Sequence, residues 1–446
     1  MTNKNFPPGP KPWFPLGIYF SLHDPLKFYK GNIAKHGDIV HIKLGGTRHY
    51  VLLNKPEHIK QVLTLDESQA FQSVPYAIRC LLNQGLIVSQ NDLHRQQRRL
   101  LHPFFQKQQI SPWAPTIVSC TENIMKTWKD GDAIDVSAQM TRLTLAIILR
   151  VLVGSTNTKM EEEIIEAFHV IVEMTHRNGV PYMDKLLEKL PLPSNIRYRQ
   201  ALKTLDGIIQ DLIDRHRSQP SAETDMIAYL LKAKADQPEN AQLSLQQIRD
   251  EIMTILIAGH ETTANVLSFA WYLLSKSPQA EADFHHELQM VLQSRLPTVE
   301  DIKNLTFTRQ IFLETMRLYP PVWLISRRPT KDMEIGGYHI PAWSSINVCT
   351  YVTHRDPRYF SDPDTFLPQR WSSKAARSFT YFPFGGGVRQ CIGEGFAFLE
   401  AILILATMGQ TWKLHYESSS PLKLDPIYTL RPKHGLPMRL NLRNKN

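Results

Sequence analysis

The sequence predicts a mainly α-helical chain with small β-sheets, an α+β architecture treated as a single domain over residues 1–446. Three observations predict it. From about residue 92 to 310, apolar side chains recur at helical spacing. Leu245 to Lys276 reads as one unusually long helix whose middle is apolar on nearly every side, as in a helix running through a core. Strand-type stretches are confined to about 1–65, parts of 320–355 and 420–446, which leaves the helical body at about 66–320 and 355–415.

In chain order, DIVHIKL and RHYVLL alternate and are joined through GGT, which predicts a hairpin followed by a short helix over 56–63. Amphipathic spacing predicts helices over about 117–128, 137–152, 160–175 and 198–217. Residues 218–243 are polar and read as a surface connection around one short helix. The long helix should stop at Ser277-Pro278, because the residue before a proline is disfavoured in helical backbone. Strand signals return in EIGGYHIPAWSSINVCTYV, with Gly336-Gly337 as the turn, and again over the last 25 residues.

Composition bounds the function. With 42% hydrophobic and 21% charged residues the chain is an ordinary globular protein rather than a disordered or fibrous one. The net charge of +9 would suit an anionic partner or plain solubility. Its basic residues are spread out, apart from HRQQRR at 94–99 and the tail 431–445, and no aromatic-interleaved pattern argues for nucleic acid. Cys80, Cys120, Cys349 and Cys391 are scattered singly, so neither a zinc site nor a disulfide framework is indicated and a reducing compartment fits. No apolar run reaches the roughly 18 residues of a spanning helix, the best candidates at 143–153 and 396–408 being broken by Arg150 and Glu400. A cytoplasmic protein without a membrane anchor is expected.

The stretch FPFGGGVRQCIGEGFA, residues 382–397, places one cysteine between a run of glycines and an apolar helix. A thiol at a helix N-terminus is favoured as thiolate by unpaired N–H groups and the helix dipole, which suits metal ligation or nucleophilic work. No GK[ST] follows the glycines and no placement gives GxGxxG, so phosphate cradling is not indicated. Glycines here instead permit tight turns and the close approach of something flat and bulky, such as a porphyrin on an axial thiolate.

Phe384, Gly387, Arg389, Cys391 and Gly393 fill every fixed position of FxxGxRxCxG, and the chain thereby resembles the cytochrome P450 family. The resemblance implies haem b as cofactor and O2 as co-substrate. It makes Cys391 the iron ligand, packs Phe384 beside the sulfur and pairs Arg389 with a haem propionate. AGHETT, within the long helix, resembles the family's oxygen-binding segment around Ala258. There Gly259 should weaken the helix and the Thr262 hydroxyl should bond back to a carbonyl one turn earlier, opening a groove. Glu261 and Thr262 are the implied proton-delivery residues. His260, at a variable position, reads as packing.

ETMR places Glu314 and Arg317 on one helical face, where they can pair. With Arg370 in FLPQRW they resemble the family's buried structural network, Gln369 standing where Glu is commoner. In DLHRQQRR, His94 and Arg98 lie one turn apart and match its propionate-binding positions; Arg327, with Arg328 as the alternative, is the remaining candidate. The implied pocket, from 69–90, the Ala258 region, 322–325 and 427–430, is mainly apolar, and a lipophilic substrate such as a fatty acid, terpenoid or steroid is expected. Trp323 is either a substrate contact or a wall of the core. The implied activity is monooxygenation. Too few residues follow Cys391 for a flavin domain, so electrons are expected from a ferredoxin or flavodoxin with its NAD(P)H-dependent reductase. Two alternatives stay open: a peroxide-using haem-thiolate enzyme and a non-catalytic haem sensor.

Overall fold

The computed structural model describes residues 5–10, 24–43, 49–72, 74, 76–154, 157–177, 190–218, 225–235, 243–373, 379–418 and 420–443. Contacts group the chain into two compact units, Met1–Val74 with Leu313–Cys391, and Pro75–Phe312 with Ile392–Asn446.

The first unit carries the larger sheet. Its five strands lie in the order Ile39–Lys43, His49–Leu53, Ser345–Val348, Ile325–Pro329, Ala70–Gln72. The first two pair antiparallel, as the alternating stretches predict, while their GGT turn falls outside the described residues. His49–Leu53 then pairs parallel with Ser345–Val348. Helix Pro56–Leu63 forms where expected, with proline in its first turn, where the missing N–H costs nothing. It buries Ile59, Val62 and Leu63 in a core with Val51, Leu53, Ile346, Val348 and Phe382. Met333–Ile335 and Tyr338–Ile340 form the expected small hairpin, and its two turn glycines have φ +58° and +81°, which side chains rarely adopt. Two expectations fail: Thr350–Thr353 is a turn of helix, so strand structure stops at Val348, and short strands at Ala70–Gln72, Ala133–Asp135 and Trp412–Tyr416 fall in stretches expected to be helical.

The second unit is the helical body. Helices Ala114–Met125, Val136–Val153, Thr158–Arg177 and Pro193–Ser218 cover the amphipathic segments, and Met226–Ala235 is the short helix expected in the polar connection. Leu245–Lys276 is a continuous helix as predicted. Ser244 and Gln247 close a reciprocal capping box at its start, worth about 1 kcal/mol, and it ends at Ser277. From Ile248 to Trp271 this helix is almost wholly buried, and it packs along Val136–Val153. By length and composition Val136–Val153 is apolar enough to cross a membrane, a longer stretch than the 143–153 run suggests; its buried face lies against the long helix. Two small sheets complete the unit: Ala133–Asp135, Pro437–Leu442 and Trp412–Tyr416 in that order, and the hairpin of Leu424–Pro426 with Leu430–Pro432.

Candidate functional site

In the first unit the glycine loop is held in a shape that only glycine permits. Gly385 and Gly387 have φ +74° and +68°, and a Cβ on Gly387 would fall 2.3 Å from the Leu63 carbonyl oxygen. A single 3₁₀ turn, Gly387–Arg389, follows, and the Cys391 N–H donates to the Phe384 carbonyl at 2.9 Å, closing the loop. Cys391 is exposed, whereas Cys120 and Cys349 are buried and burial pushes their thiols up to about 11 and about 12. Those two stay protonated packing groups. The helix after the loop begins at Glu394 with Gly393 as its cap, so Cys391 lies two residues ahead of the cap rather than in the first turn.

Beside this loop, the Arg389 guanidinium forms a buried ion pair with Glu67 at 2.8 Å, a partner no local signal in the sequence points to. Strand alternation in Ile325–Pro329 buries Arg327 and exposes Arg328, which distinguishes the two candidates. Burial, reinforced by repulsion from Arg389 and only partly offset by Glu67, pulls Arg327 down to about 10. Its hydrogen bond among the described residues goes to the Ser326 carbonyl at 3.2 Å. Two buried guanidiniums around one carboxylate favour an anion, and the propionates of a haem have that charge. The observation fits the implied cofactor.

The predicted ExxR pair is wholly buried. Arg317 meets Glu314 through two hydrogen bonds, of 2.8 and 2.9 Å, and also donates to the carbonyls of His354, Pro363 and Thr365. Arg370 joins at 3.3 Å. Two donors to Glu314 were not foreseen, the Trp371 indole at 2.8 Å and the Leu367 N–H at 3.1 Å. The residue after Arg370 in FLPQRW was the available signal.

In the second unit His94 is buried on helix Asn91–Leu101, and Arg98 follows one turn later, half-buried. On the long helix, Ala258, Gly259 and Thr262 are the residues between Ile248 and Trp271 that keep partial exposure. They form one small-residue patch on an otherwise covered rod. The Thr262 hydroxyl donates to the Ala258 carbonyl at 2.7 Å, as expected. The expected weakening at Gly259 is absent, since the segment is helical throughout. Instead, a Cβ there would meet Ile148 at 3.0 Å, so glycine serves close helix packing. His260 packs: its ring lies edge-on to Phe168, its Nδ1 donates to the Leu256 carbonyl, and burial lowers it to about 4.

Glu261 is buried, and burial raises its carboxyl above the ordinary range. It accepts a hydrogen bond from Thr429 at 2.9 Å, and Thr429 in turn accepts one from Asn265 at 3.0 Å. Neither partner was singled out from sequence; Asn265 lies one turn beyond Glu261, which was the legible part. Glu400, read only as an interruption of an apolar run, is buried too, and burial holds it up to about 8. Thr263 lies close enough to ease that shift without making a hydrogen bond of good geometry. Among the described residues no group of three or more metal-ligating side chains occurs.

Residues 7–437 match the family model described as Cytochrome P450. The chain is 36% identical over 413 residues to cyclooctatin synthase of Streptomyces melanosporofaciens, covering 91% of this chain and 89% of the relative. It is 33% identical over 402 residues to cyclooctat-9-en-7-ol 5-monooxygenase of the same organism, at 87% and 85% coverage. Pentalenene oxygenase of Streptomyces avermitilis is 31% identical over 429 residues, at 95% and 94% coverage. A family model spanning nearly the whole sequence, together with oxygenase relatives of matching length, establishes that the chain belongs to the cytochrome P450 family and is an oxidoreductase of the monooxygenase type.

Proposed function

We propose that the chain is a haem-thiolate monooxygenase that hydroxylates a lipophilic, terpenoid-type molecule with O2 and electrons from a separate carrier. The observation that carries this reading is the exposed Cys391 in a glycine-shaped loop flanked by the buried Arg389 and Arg327. Cys391 would be the ligand for haem b, with Phe384 and Gly393 shaping its loop and Arg327 and Arg389 beside it for the propionates, the role the family resemblance also gives His94 and Arg98. When bound, the haem would supply activation of dioxygen, and the Cys391 thiolate would add electron density to it. The small patch at Ala258 and Thr262 leaves room on the long helix, and Glu261 and Thr262 hold and pass the protons that dioxygen cleavage requires. Residues 1–446 act together as one catalytic domain, working in the cytoplasm.

Two relatives are named for oxygenation of an alkene alcohol, cyclooctat-9-en-7-ol, and of pentalenene, which favours a cyclic terpenoid over a fatty acid or steroid. The electron donor is an acidic ferredoxin or flavodoxin attracted by the net charge of +9, and its rate of transfer should fall with salt. The testing experiment is the carbon-monoxide difference spectrum of the reduced protein with Cys391→Ser and Cys391→His. A strongly red-shifted Soret band lost in both variants supports the reading. A band unchanged by either overturns it.

A further inference from the structure

We propose that Thr429 is a positioning residue that fixes the Glu261 carboxyl from the hairpin of Leu424–Pro426 with Leu430–Pro432, tying the proton-delivery acid to a segment expected to line the substrate pocket. The inference rests on the monooxygenase reading and adds to it the residue that sets the acid's position. Thr429 is 2% exposed and sits between two residues one turn apart on the long helix. Chemistry fixes the direction of both bonds. The Asn265 Nδ2 can only donate, so the Thr429 hydroxyl oxygen accepts from it at 3.0 Å and its proton is left for Glu261 Oε1 at 2.9 Å. The other carboxyl oxygen, Oε2, is buried and has no hydrogen-bond partner among the described residues. One oxygen is held and the other is left to exchange a proton.

The charged and titratable groups around Glu261 come from the same hairpin. Burial raises the carboxyl; the Thr429 hydroxyl and then Arg431 pull it back, and Asp425 raises it again. Arg431 is itself paired with Asp425 at 3.2 Å and adds to the burial that lowers His169 on the neighbouring helix Thr158–Arg177. Tyr428 is raised by burial and by Glu261. A displacement of the hairpin therefore moves a hydroxyl donor and an ion pair relative to one acid. A hydroxyl donated to a carboxylate favours its charged form, so removing the hydroxyl should hold Glu261 protonated to higher pH.

The experiment is a pH titration of carboxylic C=O infrared bands on the resting, haem-loaded protein, with the Glu261 band assigned by its loss in Glu261→Gln. Thr429→Val, a close isostere, should move that band's midpoint up by about one pH unit, the size of one hydrogen bond to a charged group. Thr429→Ser should restore it, and Asn265→Leu should shift it in the same direction by less. In turnover, Thr429→Val should send a larger fraction of the electrons to peroxide instead of product, and Thr429→Ser should not. An unshifted band in Thr429→Val, or a Ser variant that behaves like Val, overturns the proposal. Because the titration needs no turnover, its failure is separable from failure of the carbon-monoxide test at Cys391.

Discussion

Arg317 and Arg327 belong to the same compact unit, are both buried, and are coordinated in opposite ways. Arg317 donates to both oxygens of Glu314 and to three backbone carbonyls. Arg327 has a hydrogen bond to the neighbouring Ser326 carbonyl, faces Arg389, and is pulled down to about 10. Burying a charge is costly unless hydrogen bonds replace its hydration. The first cluster meets that condition with the chain's own groups and is architecture. The second meets it poorly, which marks a place where an external anion is welcome. Carboxyl groups repeat the contrast: Glu314 accepts from Arg317, Arg370, Trp371 and the Leu367 N–H, whereas Glu400 has no hydrogen bond of good geometry among the described residues and burial holds it up to about 8, eased only by the nearby Thr263.

Breaking the closed cluster should have the largest effect. Arg317→Leu leaves Glu314 buried without its main partner and should cost about 3–5 kcal/mol in urea unfolding. Glu400 sharpens the comparison through pH. Its folded pKa lies above the unfolded value of 4.5, so the folded state binds the extra proton in between. The stability this contributes is fully present below about pH 4.5 and is lost as pH rises toward 8, on the order of 5 kcal/mol in all. Glu251, also held up to about 8 by burial, acts in the same sense, so the test is whether Glu400→Gln flattens the stability-against-pH curve relative to the parent protein.

Arg327→Leu should behave in the reverse manner to Arg317→Leu. Unfolding of the haem-free protein should be unchanged or slightly harder, while haem transfer to an acceptor globin should speed up roughly tenfold or more, the loss of one charged hydrogen bond at about 1.5–3 kcal/mol. Equal destabilisation by the two substitutions would collapse the distinction between architecture and site. Trp371→Phe removes one donor to Glu314 and should lower stability by about 1.5 kcal/mol, read as a shift in Tm. Arg328→Ala, on the exposed side of the same strand as Arg327, should change neither property beyond about 0.5 kcal/mol.

The sequence by itself determined whatever short-range spacing encodes. The long helix could be bounded at Leu245 and Lys276 because its apolar pattern, its start after Ser244 and the Ser277-Pro278 stop all act within a few residues. The pairing of Glu314 with Arg317 and the back-bond of Thr262 to Ala258 are likewise fixed by helical geometry. Five matched loop positions gave Cys391 its proposed role. Only the tertiary structure decided which of Arg327 and Arg328 is buried, that Glu67 meets Arg389, that Trp371 joins Glu314, and that Thr429 reaches Glu261. It also decided the parallel pairing of His49–Leu53 with Ser345–Val348. These contacts join stretches far apart in the chain or depend on which face of a strand meets a core. Periodicity names a face, but the identity of what lies across from it is set only when distant segments pack together.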